Sequence, residues 1–215
     1  MKTKEVTLFG ANGLIGESLL FNLIRDKHFE KINVVSRKLI SLKNKKVSLH
    51  RTDFLESNSI NRIVKNSDVV FVCIGTTMNK VKGNKKEFRK IDFDISYKIA
   101  KACKDNKVSN LSFVSSSGAN PNSSSFYLKV KGETEQSIKK LNLYSTYVFR
   151  PSLLLGKRKE KRLGEKIAQS IMPLFSFIMP SRYKPISSIK VAKAMVRFSK
   201  IIEPGFKIFH YKEMN

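Results

Sequence analysis

Tyr127 and Lys131 stand four residues apart in the segment Phe126-Tyr127-Leu128-Lys129-Val130-Lys131-Gly132-Glu133. On a helix they share a face. A free phenol titrates near pH ~10 and exchanges protons poorly at neutrality. A neighbouring ammonium stabilises the phenolate and makes the exchange easier. Ten to twelve residues upstream lies Ser115-Ser116-Ser117-Gly118, and a hydroxyl from this cluster can hydrogen-bond and orient a carbonyl. The three residue types suit one chemistry, in which hydride reaches a carbonyl carbon while Tyr127 gives a proton to the oxygen. Lys131 can also hold a ribose. A tyrosine four before a lysine is, taken alone, better read as a solvated helix face; the upstream serines and the glycine turn at the N-terminus reverse that reading.

Such a reaction needs a hydride carrier, and the N-terminus offers a place for one. Gly10-Ala11-Asn12-Gly13-Leu14-Ile15-Gly16 follows the apolar run Val6-Thr7-Leu8-Phe9 and opens an amphipathic segment from Leu14 to Ile24. The order is strand, tight turn, helix, which is the context that gives a glycine pattern meaning. Gly10 can end the strand in a conformation forbidden to other residues. Gly13 lets phosphates approach the backbone, and Gly16 lets the helix pack closely on the sheet. The free N–H groups at the helix start then face a pyrophosphate. A plain tight turn with packing glycines is the competing explanation.

The second strand ends in Ser36-Arg37-Lys38, where such folds select their dinucleotide. An acidic residue there would bind the ribose 2′-hydroxyl of NAD, whereas a cation accommodates the 2′-phosphate of NADP. No acid is present, and Arg37 offers a planar fork. NADP(H) is therefore expected over NAD(H). Asp53-Phe54 follows the third strand and can border the adenine, or be an ordinary turn. Gly75-Thr76-Thr77 closes the fourth strand, at the sheet edge where ligands bind in open α/β sheets.

Around these motifs the chain alternates strands and helices. Strands are expected at 4–9, 31–35, 46–50, 68–74, 110–115, 143–149 and 206–209. Helices are expected at 14–26, 59–65 with Ser57 as a possible cap, 85–105, 125–140 and 187–201. The stripe Phe88, Ile91, Ile95, Ile99 and Ala102 carries the helical period of the 85–105 segment. Alternation of this kind means βαβ units, a mainly parallel sheet and a doubly wound α/β fold with helices on both faces. One NAD(P)-binding domain over residues 1–215 is expected, with residues about 152–205 on the substrate side.

Taken together these segments resemble the short-chain dehydrogenase/reductase superfamily. More narrowly they resemble its atypical branch, which contains the human HIV-Tat-interacting oxidoreductase-like protein and bacterial and fungal relatives. The likeness runs through the Gly10–Gly16 turn, Ser36-Arg37-Lys38-Leu39, Cys73-Ile74-Gly75-Thr76-Thr77, Ser115-Ser116-Ser117-Gly118-Ala119, the Tyr127–Lys131 segment and Val148-Phe149-Arg150-Pro151. It implies NADP(H) held by Gly10, Asn12, Gly13, Leu14, Ile15, Arg37 and Gly75, with Tyr127 as proton donor-acceptor beside Lys131. It points to Ser116 as the carbonyl-orienting serine, with Ser117 still open. The chain departs from the superfamily pattern at one place. Many extended members carry an asparagine in the helix after the fourth strand, and this chain has Ile91-Asp92-Phe93-Asp94, so a relay through that asparagine does not carry over. Some relatives act mainly as cofactor-dependent binders, which keeps a nucleotide-sensing regulatory role as the alternative.

Composition bounds the rest. The net charge is +25, with 32 Lys, 10 Arg and 15 Asn. Phosphate forks and base readout favour Arg, so the lysine excess reads as solvated surface rather than a nucleic-acid interface. No run reaches the ~20 apolar residues of a membrane span. No secretory leader is expected at the N-terminus. Two cysteines without metal-ligand spacing suit a reduced, cytoplasmic setting, and no metal site is expected. The partner expected is a small carbonyl or alcohol, with the protein a monomer or homodimer. The basic run Lys157–Arg162 and the apolar run Ile171–Pro180 can serve a substrate pocket, a core or, less readily, peripheral membrane contact.

Overall fold

The computed structural model describes residues 4–38, 41–54, 56–156 and 183–215. The runs 157–162 and 171–180 lie outside the described residues.

Seven strands form one sheet in the order β3-β2-β1-β4-β5-β6-β9. They are β1 Lys4–Phe9, β2 Phe29–Ser36, β3 Val47–Arg51, β4 Val69–Val72, β5 Asn110–Val114, β6 Ser145–Phe149 and β9 Gly205–Phe209. Every neighbouring pair is parallel. Two further two-residue strands, β7 Leu154–Leu155 and β8 Ile186–Ser187, pair with each other. They were not legible beforehand, because so short a pairing leaves no period to read.

The strands divide their side chains between two cores, as alternation on a pleated sheet requires. Val6, Leu8, Ile32, Val34, Val69, Phe71, Tyr147 and Phe149 face one side. There they meet α1 (Leu14–Arg25) through Leu19 and Leu23, and α6 (Ser188–Lys200) through Val191 and Met195. Phe9, Val35, Val70, Val72, Leu111, Phe113 and Val148 face the other side. They meet α2 (Ser57–Val64) through Ile60, α4 (Ile95–Asp105) through Ile99 and Cys103, and α5 (Phe126–Lys140) through Ile138. Burial on both faces explains why the central strands read as continuous apolar runs. This is the Rossmann-like, doubly wound arrangement expected from the sequence. A final helix, α7 (Tyr211–Met214), follows β9.

Several boundaries move. Ser57 is the first helical residue of α2, and Glu56 precedes it without a side-chain cap. The segment expected as one helix over 85–105 is three pieces: α3 (Lys85–Arg89), a π-helical turn (Lys90–Asp94) and α4. A π turn takes in an extra residue and resets the helix face. Asp92 is thereby buried, 1% exposed, while Ile91, expected on the apolar stripe, is only half-buried.

The strand order reverses between β1 and β4, each beginning a run that proceeds outward in the opposite direction. A crevice opens there beyond the carboxyl ends of the strands, the usual ligand position in open α/β sheets.

Candidate functional site

The crevice is built first by the glycine turn. Gly10 has φ +87°, and a Cβ there would lie 2.6 Å from the Cys73 carbonyl carbon. A side chain would therefore be strained and would also collide with the strand next door. A Cβ at Gly16 would lie 2.1 Å from the Gly10 carbonyl oxygen, so the glycine lets α1 sit directly on the turn. Gly13 differs. Its nearest protein atoms would be 3.4 and 3.7 Å away, an ordinary contact distance. The protein's own packing does not demand a glycine at Gly13. Asn12, Gly13, Leu14 and Ile15 line a cleft of about 460 Å³, at a helix N-terminus whose first N–H groups have no intrahelical acceptor.

The opposite wall comes from β4, β5, β6 and α5. Cys73, Gly75 and Thr76 follow β4, Ser115 and Ser116 follow β5, Tyr127 and Lys131 lie on α5, and Pro151 to Leu154 follow β6. The fold thus gathers the glycine turn, Gly75, Thr76, Ser116, Tyr127 and Lys131 around one cleft. Ser117 does not line it; its N–H donates to the Pro151 carbonyl at 2.9 Å. Ser115 lines the cleft, but its hydroxyl donates to Glu135. Ser116 is half-buried on the cleft, and its Oγ donates to the Ser117 carbonyl at 3.3 Å. Tyr127 packs edge-on against Phe88, ring centroids 5.8 Å apart.

Lys131 is 7% exposed. Its ammonium lies 2.7 Å from Asp92 Oδ1, and Asp92 Oδ2 accepts from the Thr76 N–H at 2.8 Å. Burial alone would lower the lysine pKa, but the charges of Asp92 and Tyr127, together with the Asp92 hydrogen bond, reverse this and raise it above the ordinary value. The lysine is therefore an ammonium in the folded protein at neutral pH. Asp92 carried no sequence signal of its own; it lay within the segment Ile91-Asp92-Phe93-Asp94, where the superfamily pattern was not matched. Its partner depends on the π turn.

A second layer holds the first. Glu135, on the same helix face as Tyr127 and Lys131, accepts from Arg150 Nε at 2.9 Å and pairs with Arg150 Nη2 and Ser115. The end of β5, the end of β6 and α5 are tied by this one carboxylate. Gly132 completes the joint. A Cβ there would lie 2.2 Å from the Pro121 nitrogen, so the glycine admits the loop after the serines against α5.

The residues expected to choose the dinucleotide form a separate group. Arg37 and Asp53 line a second cleft of about 530 Å³ together with Arg51, Glu56, Glu87 and Lys90. Arg51 and Lys90 were missed in the sequence. Arg51 is identifiable only from register, because β3 pairs it with Ser36. Ser36 itself is buried; its Oγ accepts from Lys38 N at 3.2 Å and from Asn12 Nδ2 at 3.4 Å, which links the glycine turn to the end of β2. Phe54 is a core residue, 5% exposed and packed edge-on against Phe9, rather than a free adenine platform. The Arg37 guanidinium lies over its ring at 5.7 Å.

Cys73 and Cys103 are both free thiols. Burial pushes Cys73 up to about 12 and raises Cys103 further, so neither is a thiolate nucleophile at neutral pH. No cluster of metal-ligating side chains occurs among the described residues.

This geometry is that of a dinucleotide-binding protein, and comparison with known families agrees. The family described as NAD(P)H-binding matches residues 10–199. The chain belongs to that family. Among individual proteins, it is 34% identical over 199 residues to Protein FMP52, mitochondrial, of Candida albicans, covering 90% of this chain and 86% of that protein. It is 30% identical over 208 residues to Protein HTATIP2 of Rattus norvegicus, covering 95% and 84%. Among solved structures, the fold matches a UDP-N-acetylglucosamine 4-epimerase from Methanobrevibacter ruminantium, in complex with UDP-N-acetylmuramic acid. That match has a TM-score of 0.74 at 21% identity, covering 98% of this chain and 77% of that one. It also matches the Bordetella bronchiseptica enzyme WbmH in complex with NAD⁺, with a TM-score of 0.75 at 15% identity, covering 97% and 75%.

Proposed function

We propose that the protein is an NADP(H)-dependent oxidoreductase acting on a small carbonyl or alcohol through Ser116, Tyr127 and Lys131. The observation that carries the reading is the buried Lys131 ammonium, held on Asp92 in the cleft that Tyr127 and Ser116 also line. The residues fit a dinucleotide: Gly13 leaves the approach to the α1 N-terminus open, and Arg37 and Arg51 stand at the ends of β2 and β3 to meet a 2′-phosphate. When bound, the nicotinamide supplies or accepts hydride. The chain's own residues do the rest. Ser116 donates a hydrogen bond to the substrate oxygen and fixes its position. Tyr127 delivers a proton to that oxygen on reduction and takes it back on oxidation. Lys131 keeps positive charge beside the phenol, so that the tyrosine's charge change is stabilised.

The proposal includes one NAD(P)-binding domain, with residues about 152–205 on the substrate side; Pro151 to Leu154 on the cleft wall support it. It also includes a monomeric or homodimeric state and no dedicated nucleic-acid partner. No helix among the described residues is long and apolar enough to cross a membrane. The cytoplasmic location expected from the cysteines stays part of the proposal. The fungal relatives are named mitochondrial, and cell fractionation separates the two.

The test is calorimetric titration with NADPH, NADH and NADP⁺, then a panel of small aldehydes and ketones. NADPH binding with turnover that Tyr127→Phe lowers by about 10²-fold or more, at unchanged cofactor affinity, supports the enzyme. NADPH binding with no turnover on any substrate favours the nucleotide-sensing alternative, and absence of dinucleotide binding refutes both.

A further inference from the structure

Asp92 is a buried acid on the cleft, with each carboxylate oxygen engaged by a different neighbouring element. It is 1% exposed and sits on the π turn between α3 and α4. One carboxylate oxygen lies 2.7 Å from Lys131 Nζ. The other accepts the Thr76 N–H at 2.8 Å. Gly75 lies directly against this pair: a Cβ there would be 3.4 Å from Asp92 Oδ1 and 3.6 Å from Lys131 Nζ. The carboxylate therefore joins three elements at one point: the loop after β4, the π turn and α5.

We propose that Asp92 is a positioning residue that holds Lys131 as an ammonium and locks the Gly75–Thr76 loop to it, so that the proton-transfer helix and the cofactor loop move as one unit. The inference rests on the oxidoreductase reading for its functional meaning. A lysine ammonium has three N–H donors. Its ion pair with Asp92 leaves donors for the cleft, which Tyr127 also lines. A buried ammonium without a counter-charge would shed its proton, because burial penalises the charged form. The other ionisable groups that act on Lys131 are Tyr127 and Glu135 on its own helix; Lys80 and Glu17 also line the cleft. Glu135 is already paired with Arg150, which leaves Asp92 as the counter-ion. The π turn has a purpose in this light. A regular helix with Ile91 on the buried stripe would keep Asp92 off the joint.

The first measurement uses cofactor-free protein. Carbon-13 labelled lysine reports the Lys131 Cε resonance as a function of pH, assigned by its absence in Lys131→Met. Asp92→Asn preserves the acceptor for Thr76 while removing the charge. The Lys131 titration midpoint is expected to fall by about 1–3 pH units in this variant. An unchanged midpoint would falsify the proposal, whatever the protein's activity. A second measurement covers poor folding of Asp92→Asn. The double variant Asp92→Asn with Lys131→Met removes both charges and is expected to melt above the single variant, since no unpaired buried ammonium remains. No recovery overturns the pairing. In the wild type, NADPH binding and turnover test the oxidoreductase reading separately. Where turnover exists, the alkaline limb of its pH profile should move down in Asp92→Asn by the same interval as the Lys131 midpoint; a uniform loss at all pH values would show a structural role only.

Discussion

Replacing Gly13 and Gly16 separately by alanine distinguishes a ligand-dictated glycine from a packing-dictated one, three residues apart in the same turn. At Gly16 the added methyl would sit 2.1 Å from the Gly10 carbonyl oxygen and 3.0 Å from Ala11 Cα. Both are backbone, so no side chain can rotate away. Reaching ordinary contact needs a shift of roughly 1 Å between α1 and the turn. Overpacking of this kind costs about 3 kcal/mol at the upper end of its usual range, and alanine's better helix propensity returns about 1 kcal/mol. The net loss of about 2 kcal/mol lowers the melting temperature by roughly 4–8 °C for a chain of this size. At Gly13 the methyl meets nothing closer than 3.4 Å, and φ is −84°, which alanine accepts. The poorer N-cap costs up to about 1 kcal/mol, and the less flexible unfolded chain offsets about 0.4–1 kcal/mol. Gly13→Ala should therefore melt within about 2 °C of wild type. It should nevertheless lose NADPH affinity by tenfold or more, or about 1.4 kcal/mol, because the methyl stands where phosphates approach. Differential scanning calorimetry and NADPH titration check both variants. If Gly13→Ala melts as low as Gly16→Ala while binding NADPH normally, the assignment of the two glycines is wrong.

Other perturbations probe the rest of the site. Arg37→Ala and Arg51→Ala should each weaken NADPH by roughly tenfold, as loss of a charged hydrogen bond to phosphate does, and leave NADH nearly unaffected; equal losses for both dinucleotides would remove these residues from the 2′-phosphate. Glu135→Gln leaves Arg150 half-paired in a buried setting and should cost about 3–5 kcal/mol, read by thermal unfolding; a loss under about 1 kcal/mol would show that the pair behaves like a surface one. Burial, together with nearby lysines, holds the pKa values of His28 and His50 below the ordinary imidazole value. The unfolded chain then binds protons first, so stability present above about pH 6.5 is lost as pH falls through and below it. Denaturant unfolding at pH 7.5 and 5 should show a slope that shrinks in the doubly substituted His28→Gln, His50→Gln variant. NADPH affinity should fall only modestly with salt, whereas a polyanion partner would show a steep dependence.

Most of the architecture was readable from local pattern. Each strand and helix of the central sheet leaves a period, a cap or a glycine within its own few residues, and the alternation of types implies the parallel sheet. The same holds for the glycine turn and for the Tyr127–Lys131 spacing, since the relation of i to i+4 is internal to one helix. The different surroundings of the three serines were not readable in this way. Three identical residues in a row differ only in what they meet, and Ser115 meets Glu135 while Ser117 follows the chain toward Pro151.

The amino-acid sequence by itself determined the fold class, the dinucleotide-binding glycine turn and the helix that carries Tyr127 and Lys131, because each is encoded in neighbouring residues. Only the tertiary structure decided the electrostatics of the cleft. Asp92 reaches Lys131 across 39 residues of chain, and Arg150 reaches Glu135 from a neighbouring strand end. The register of β2 with β3 sets Arg51 opposite Ser36. Gly132 faces Pro121 because α5 folds back on the loop before it. Such contacts depend on how elements pack, and a π turn that shifts one acid onto the buried face has no periodic signature in the residues that form it.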